Sequence, residues 1–206
     1  MAELFDQVKK FYRSDSPRAE LLRDILSVAK ILILFAVVSQ IAFGTWTPMR
    51  AIESGSMEPH MRIGDIVFIQ DMSRTKIVTQ EEGAISGYDT FGDFGNVILY
   101  RKYGRTDATP IIHRAMYHVE AGEPMWDGGP AAPHAGYITK GDNKETNKQY
   151  DQQGIICREP VREEWVIGVA RFRLPYAGYV RLVFADILQE FLKLIGKEPR
   201  DPYDHP

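Results

Sequence analysis

One cysteine, Cys157, stands alone in a chain of 206 residues, so no intrachain disulfide can form. A lone thiol of this kind reads as a small buried hydrophobe rather than a nucleophile. Neither sign of charge dominates: 25 Lys and Arg stand against 28 Asp and Glu, for a net charge of −3. With a pI near 6.0, nucleic acid is not an expected partner, because phosphate binding needs a basic surface. Nor is the balance acidic enough for a protein adapted to molar salt. Metal-ligand spacings are missing too, with no Cys pair, no His-x3-His and no His-Glu-x-x-His. Phosphate-loop and dinucleotide fingerprints are absent, so no cofactor is expected.

What the chain does have is one long apolar run. From Ile25 to Thr47 only Ser27, Lys30, Ser39 and Gln40 interrupt it. As a helix at about 1.5 Å per residue the run spans roughly 35 Å, enough for about 30 Å of hydrocarbon. Lys30 can snorkel from near one end, Trp46 supplies an aromatic anchor at the other, and Pro48 is expected to stop the helix. A cleavable signal peptide fits poorly, because the leading 24 residues are long and charged and no Ala-x-Ala site follows. Arg18, Arg23 and Lys30 before the run, against Arg50 and Arg62 after it, favour a cytoplasmic N-terminus in a single-pass cell-membrane protein.

Beyond Pro48 the pattern changes to short apolar stretches bounded by Gly, Asp, Asn and Pro. Ile63–Gln70, Val97–Tyr100, Ile111–Val119, Tyr137–Lys140 and Val166–Phe172 read as strands, and no 3.6-residue period appears before residue 175. A mostly β domain follows, either a sandwich or a coiled barrel. Glu81–Gly95 and Glu120–Gly136 read as inserted loops, flexible or touching lipid, with Trp126 as the immersion point. The segment 179–197 returns to helical spacing, with Val180, Val183, Phe184, Ile187, Leu188, Phe191, Leu194 and Ile195 on one face. This C-terminal amphipathic helix packs on the β domain or lies in the membrane interface. The expected organisation is a cytoplasmic segment 1–24, a transmembrane helix 25–47, an extracytoplasmic β domain 48–178, and the amphipathic helix with a disordered tail over 179–206.

Candidate chemistry centres on Ser56, between Gly55 and Met57, where a small neighbour permits a sharp turn and an exposed hydroxyl. It lies nine residues past the apolar run, so an extended connection keeps it within roughly 30 Å of the membrane face. A serine attacks a carbonyl usefully only with a base and an oxyanion site. Of the five histidines, His205 falls in the tail, His134 in an insertion, and His60 is too near in sequence to approach Ser56 from another element. His113 and His118 share a strand at odd separation, hence opposite faces. His113, after Ile111 and Ile112, is the candidate base. Asp142, in Lys140-Gly141-Asp142-Asn143, and Asp151 are the carboxylates that could return to it, although Gly-Asp-Asn after a strand is ordinarily a turn.

Ser54–Pro59 (SGSMEP), Gly64–Val67 (GDIV), Ile112–Arg114 (IHR), Tyr137–Asn143 (YITKGDN), Asp151-Gln152 and Gly168–Arg171 (GVAR) occur in this order. As a set they resemble type I signal peptidases, specifically the archaeal and endoplasmic-reticulum branch. The resemblance covers most of residues 48–178. It implies a membrane-anchored serine endopeptidase that removes signal peptides from secretory preproteins, near the protein-export channel, on the family's mostly β coiled fold. Bacterial members place a lysine where this chain has His113, so the Ser/His branch is the one it resembles. The motif positions imply Ser56 as nucleophile, His113 as general base, and Asp142 and Asp151 as the acidic residues; Asp151 would orient His113 with Asp142 hydrogen-bonding nearby, the two roles being exchangeable. The Ser56 N–H, and by family analogy the Ser54 hydroxyl, would hold the oxyanion. Substrates would bind extended along an edge near Ser54–Ser56, with small residues at the first and third positions before the cut. The stretch between Asp142 and Asp151 is longer than in the reticulum enzymes, and the family's second Gly-Asp appears here as Gly95-Asn96. A relative of the Ser/Lys self-cleaving repressors, for which Lys102 and Lys140 would be the lysines, and a catalytically inert β module that binds exported peptides are the alternatives.

Overall fold

The computed structural model describes residues 16–177, together with residues 5, 9–12 and 14. The amphipathic segment and tail expected over 179–206 lie outside the described residues. The chain divides into two compact units, Met1–Trp46 and Thr47–Pro206.

In the first unit residues 9–12 are helical, and the long element among the described residues is a helix, α1, Pro17–Phe43. Ser16 caps it by accepting from Ala19 N, and Pro17 opens it where its missing N–H costs nothing. At about 1.5 Å per residue it is roughly 40 Å long, and its length and composition suffice to cross a membrane. It ends earlier than expected. Gly44 takes the left-handed conformation at φ 71° and returns its N–H to Gln40 O, which closes the helix four residues before Pro48.

The second unit is a six-stranded antiparallel sheet in the order β1-β2-β8-β5-β6-β7. Its strands are β1 Met49–Ala51, β2 Ile66–Asp71, β5 Val97–Tyr100, β6 Ile111–Val119, β7 Gly136–Lys140 and β8 Val166–Leu174. Four of the five expected strands match within two residues at either end, and the first begins three residues late at Ile66. The central strand β5 is buried on both faces. Val97 and Leu99 pack with Ile52, Met57, Met61, Val67 and Ala170, while Ile98 and Tyr100 pack with Ala115, Val161, Val166 and Val169. Side chains alternate along a strand, so these two clusters are the two sides of the sheet.

Three departures from the sequence expectation have local causes. The Gly-rich stretch after residue 80 contains a helix, α2 Gln80–Ser86, which Thr79 and Glu82 close reciprocally as a capping box. It then forms a small hairpin, β3 Asp89–Thr90 with β4 Asp93–Phe94, turning through Phe91 and Gly92, both at positive φ. Trp126 is only partly exposed: it packs on the cluster of Val119, Met125, Ala132 and Ile138, and its indole lies where a Cβ on Gly129 would sit. Finally, the register of β6 against β7 shifts between Ala115 and Tyr117. This bulge resets the alternation, so His118 returns to the His113 side instead of the opposite one, where it stacks edge-on against Tyr137.

Candidate active site

Ser56 sits in a single 3₁₀ turn, Gly55–Met57, whose last residue is fully buried in the core and anchors it. His113 projects from β6 opposite Ile98 of β5 and is 3% exposed. Its Nε2 lies 3.0 Å from Ser56 Oγ and its Nδ1 2.7 Å from Asp151 Oδ2. Asp151, 2% exposed, opens a short turn after the β7 loop. Because an ionised carboxylate only accepts, Nδ1 must carry the proton toward it, which leaves Nε2 to accept from the serine.

The carboxylate is itself held. Thr139 Oγ1 of β7 donates to Asp151 Oδ2 at 2.7 Å and Tyr100 Oη of β5 at 2.9 Å, so three neighbouring strands converge on one oxygen. Gln152 accepts from Thr139 N through Oε1, fixing the threonine. Burial works to raise the Asp151 pKa, but the His113 hydrogen bond and charge and the two hydroxyls outweigh it, so the group titrates below the ordinary carboxylate value. Burial, and after it the negative Asp151, hold the Tyr100 phenol well above its usual value, so it remains a donor.

Asp142 belongs to a different network. Arg114 grips it through Nε at 2.9 Å and Nη2 at 2.6 Å, and His60 Nδ1 approaches at 2.8 Å. The same guanidinium donates through Nη1 to the carbonyls of Thr90, Asp93, Phe94 and Gly95, fastening the β3–β4 hairpin. The two candidate carboxylates are therefore not exchangeable in position: Asp151 contacts His113 and Asp142 does not.

Ser54, the remaining candidate, places its Oγ 3.3 Å from Ser56 Oγ. The Ser56 N–H makes no hydrogen bond among the described residues, so it is available to a ligand. Of the lysines, Lys102 Nζ donates to Ile155 O and Lys140 Nζ to Lys148 O, and neither bonds the serine. His134 pairs with Glu159, and His118 lies 3.5 Å from Glu120. His205 lies outside the described residues. Cys157 is buried, and burial pushes its thiol pKa up, away from nucleophilic use. Asn96 is fully buried, accepting from Val78 N and donating to Tyr88 Oη; this is a bridging role that needs an amide rather than a charge.

Beside Ser56 and His113 runs a groove of about 900 Å³, walled by β1 with Ile52 and Glu53 on one side and by Lys102, Pro110, Ile111 and Ile155 on the other. β1 pairs only with β2 among the described residues. Pro48 O and Ile52 N bond toward β2, so by alternation Met49, Ala51 and Glu53 turn their backbone groups the other way.

A serine, an imidazole and a carboxylate linked in this order beside an open groove form the constellation of acyl-transfer hydrolases. No family model matches the chain. Among curated proteins it is similar to the signal peptidase complex catalytic subunit SEC11 of Pyricularia oryzae, 26% identical over 168 residues, 75% of this chain and 80% of that protein. SEC11 of Komagataella phaffii is 26% identical over 178 residues, 80% of this chain and 88% of the relative. Human SEC11C is 28% identical over 145 residues, 69% of this chain and 60% of the relative. The chain is thus similar to signal peptidase complex catalytic subunits, in keeping with the resemblance that its motifs carry. Tyr100 and Asn147 carried no signal in the sequence beyond ordinary strand and loop residues; Thr139 and Gln152 stood in motifs without a role of their own, and His60 was weighed only as a base. The strand register places Tyr100 and Thr139, and the loops around Ser56 and after β7 bring in the rest.

Proposed function

We propose that the protein is a membrane-anchored serine endopeptidase that cleaves signal peptides from exported preproteins, a signal peptidase I. The observation that carries this reading is the Ser56–His113–Asp151 relay, at 3.0 and 2.7 Å, opening on a groove whose β1 edge is unpaired among the described residues. Homology to SEC11 subunits supports the substrate class. A preprotein segment adds as an extended strand along Met49–Glu53, using its own backbone groups. This brings the scissile carbonyl to Ser56 Oγ.

Ser56 Oγ attacks as His113 Nε2 removes its proton, and Asp151 stabilises the imidazolium and fixes the tautomer. The oxyanion accepts from the Ser56 N–H and the Ser54 hydroxyl. His113 then returns the proton to the leaving amine, and water repeats the sequence on the acyl-enzyme. Asp142 holds the scaffold rather than the imidazole. The helix α1 spans the membrane with a cytoplasmic N-terminus and an extracytoplasmic body, in the organisation set out from the sequence.

Purified full-length protein in detergent, incubated with a preprotein, should release the mature fragment with its N-terminus after a small residue. Ser56→Ala and His113→Ala should each lower turnover by roughly 10⁴- to 10⁶-fold. Stable binding without cleavage would instead describe an inert peptide-binding module. For topology, the C-terminal body should resist added protease in inverted vesicles, and its digestion there would reverse the assignment.

A further inference from the structure

We infer that Asn143 is the positioning residue for the oxyanion donor, acting through the carbonyl of Gly55. This rests on the serine peptidase reading above and extends it beyond the relay. Across the trans Gly55–Ser56 peptide, the Gly55 C=O and the Ser56 N–H are coplanar and point in opposite directions. Whatever holds that carbonyl therefore aims the N–H. Asn143 Nδ2 donates to Gly55 O at 2.9 Å, whereas the turn's own closing bond, Glu58 N to the same oxygen, is 3.2 Å long. The Ser56 N–H on the far side of the peptide plane meets no acceptor among the described residues.

The amide that does this is fixed at every atom. Asn143 Oδ1 accepts from Glu145 N at 3.0 Å and Thr146 N at 3.4 Å, which settles which end of the amide faces Gly55. The next carbonyl, Ser56 O, takes Asn143 N at 2.9 Å and Asn147 Nδ2 at 3.0 Å. Three donors from one short loop thus fall on two successive carbonyls of the nucleophile turn. Gly141 permits the approach, since a Cβ there would lie 2.6 Å from Ser56 O. Between Gly141 and Asn143, Asp142 is clamped by Arg114 and His60. The clamp sets where Asn143 stands. Oxyanion stabilisation depends on donors fixed before the charge develops, and losing one such donor costs about 10²- to 10³-fold in turnover.

The test compares Asn143→Asp with wild type in the full-length protein. The aspartate keeps an acceptor for Glu145 N and Thr146 N but sets an oxygen against Gly55 O. The expected result is a fall in kcat of about 10- to 100-fold with KM and melting temperature nearly unchanged, because ground-state binding and the loop are retained. In the same samples, labelled with ¹⁵N-serine in micelles, the residual dipolar coupling of the Ser56 N–H should change while those of serines remote from the turn do not. A variant with wild-type kcat, or one that loses kcat with an unmoved Ser56 N–H vector, overturns the inference. If wild type cleaves no preprotein, the peptidase reading fails, and the dipolar coupling still decides whether Asn143 orients the amide.

Discussion

His113 and Arg114 are neighbours in β6, yet each takes its own carboxylate: His113 pairs with Asp151 at 2.7 Å and Arg114 with Asp142 at 2.6 Å. Successive side chains leave a strand on opposite faces, so the two cannot share a partner. The His113 face carries Tyr100 and Thr139, and with them the relay. The Arg114 face carries the β3–β4 hairpin and His60. One dipeptide thereby separates the Ser56–His113–Asp151 contacts from the Arg114–Asp142 scaffold.

This separation predicts different failures for the two carboxylates. Asp151→Asn should fold normally and lose about 10⁴-fold in kcat, because the neutral amide no longer secures the imidazole tautomer or its charge. Asp142→Ala should leave the buried Arg114 guanidinium without its counter-ion and destabilise the protein by about 3–5 kcal/mol. Thermal unfolding beside single-turnover kinetics distinguishes them. A stable, inactive Asp142→Ala together with an active Asp151→Asn would reverse the assignment.

Tyr100→Phe removes one of the donors on Asp151 Oδ2. Since the folded pKa of Asp151 lies below its unfolded value of 3.8, the stability it contributes is fully present above that value. It is lost as pH falls through the folded pKa. The variant's folded pKa moves back toward 3.8. It should therefore be less stable than wild type by about 1.5–3 kcal/mol at pH 7, the usual worth of a hydrogen bond to a charged group, and the gap should narrow below 3.8, toward the lowest pH at which the protein still folds. Urea unfolding at pH 7 and at that lower pH reads this. An equal gap at both would assign the loss to packing of the ring.

The sequence pattern placed the longer strands well because Ile, Val and Tyr runs bounded by Gly and Asp leave few other readings. It missed β1, whose Met49-Arg50-Ala51 is too short and mixed to show a period, and α2, where Gly83 disguised a helix. Gly83 is there because Tyr88 O and Gly95 N would lie within 2.6 Å of any Cβ; the Thr79–Glu82 box was the available sign. The bulge at Met116 was invisible, and with it the true face of His118. Ser56 and His113 were legible as motif residues. Which aspartate meets the imidazole was not, because it depends on the path of the loop from Gly141 to Asp151.

The Gly64-Asp65 pair, a motif element, has a structural purpose. Asp65, fully buried, accepts from Arg62 N at 2.9 Å, Arg173 Nη1 at 2.6 Å and Tyr176 N at 3.1 Å. It fastens the start of β2 to the end of β8. Burial opposes its ionisation, but these donors and the Arg173 charge hold its pKa below the ordinary value. Asp65→Ala should cost about 2–3 kcal/mol by stranding these donors, with kcat per folded molecule unchanged. A kcat loss at full stability would instead tie Asp65 to the site.

The proposed binding of substrate along β1 makes a prediction about an exposed side chain on the opposite wall. Ile155 is 82% exposed and lines the groove beside Lys102, whose ammonium holds the Ile155 carbonyl. A large aliphatic group left in water at this point can gain by covering an apolar part of an extended substrate, and partial burial amounts to roughly 1–1.5 kcal/mol. Ile155→Asp should therefore raise KM about 10-fold with little change in kcat, since it touches neither Ser56 nor His113. Ile85, 85% exposed on α2 and outside the groove, provides the control. Ile85→Asp should leave both constants alone. Equal effects of the two substitutions would mean that the substrate does not run between β1 and Ile155.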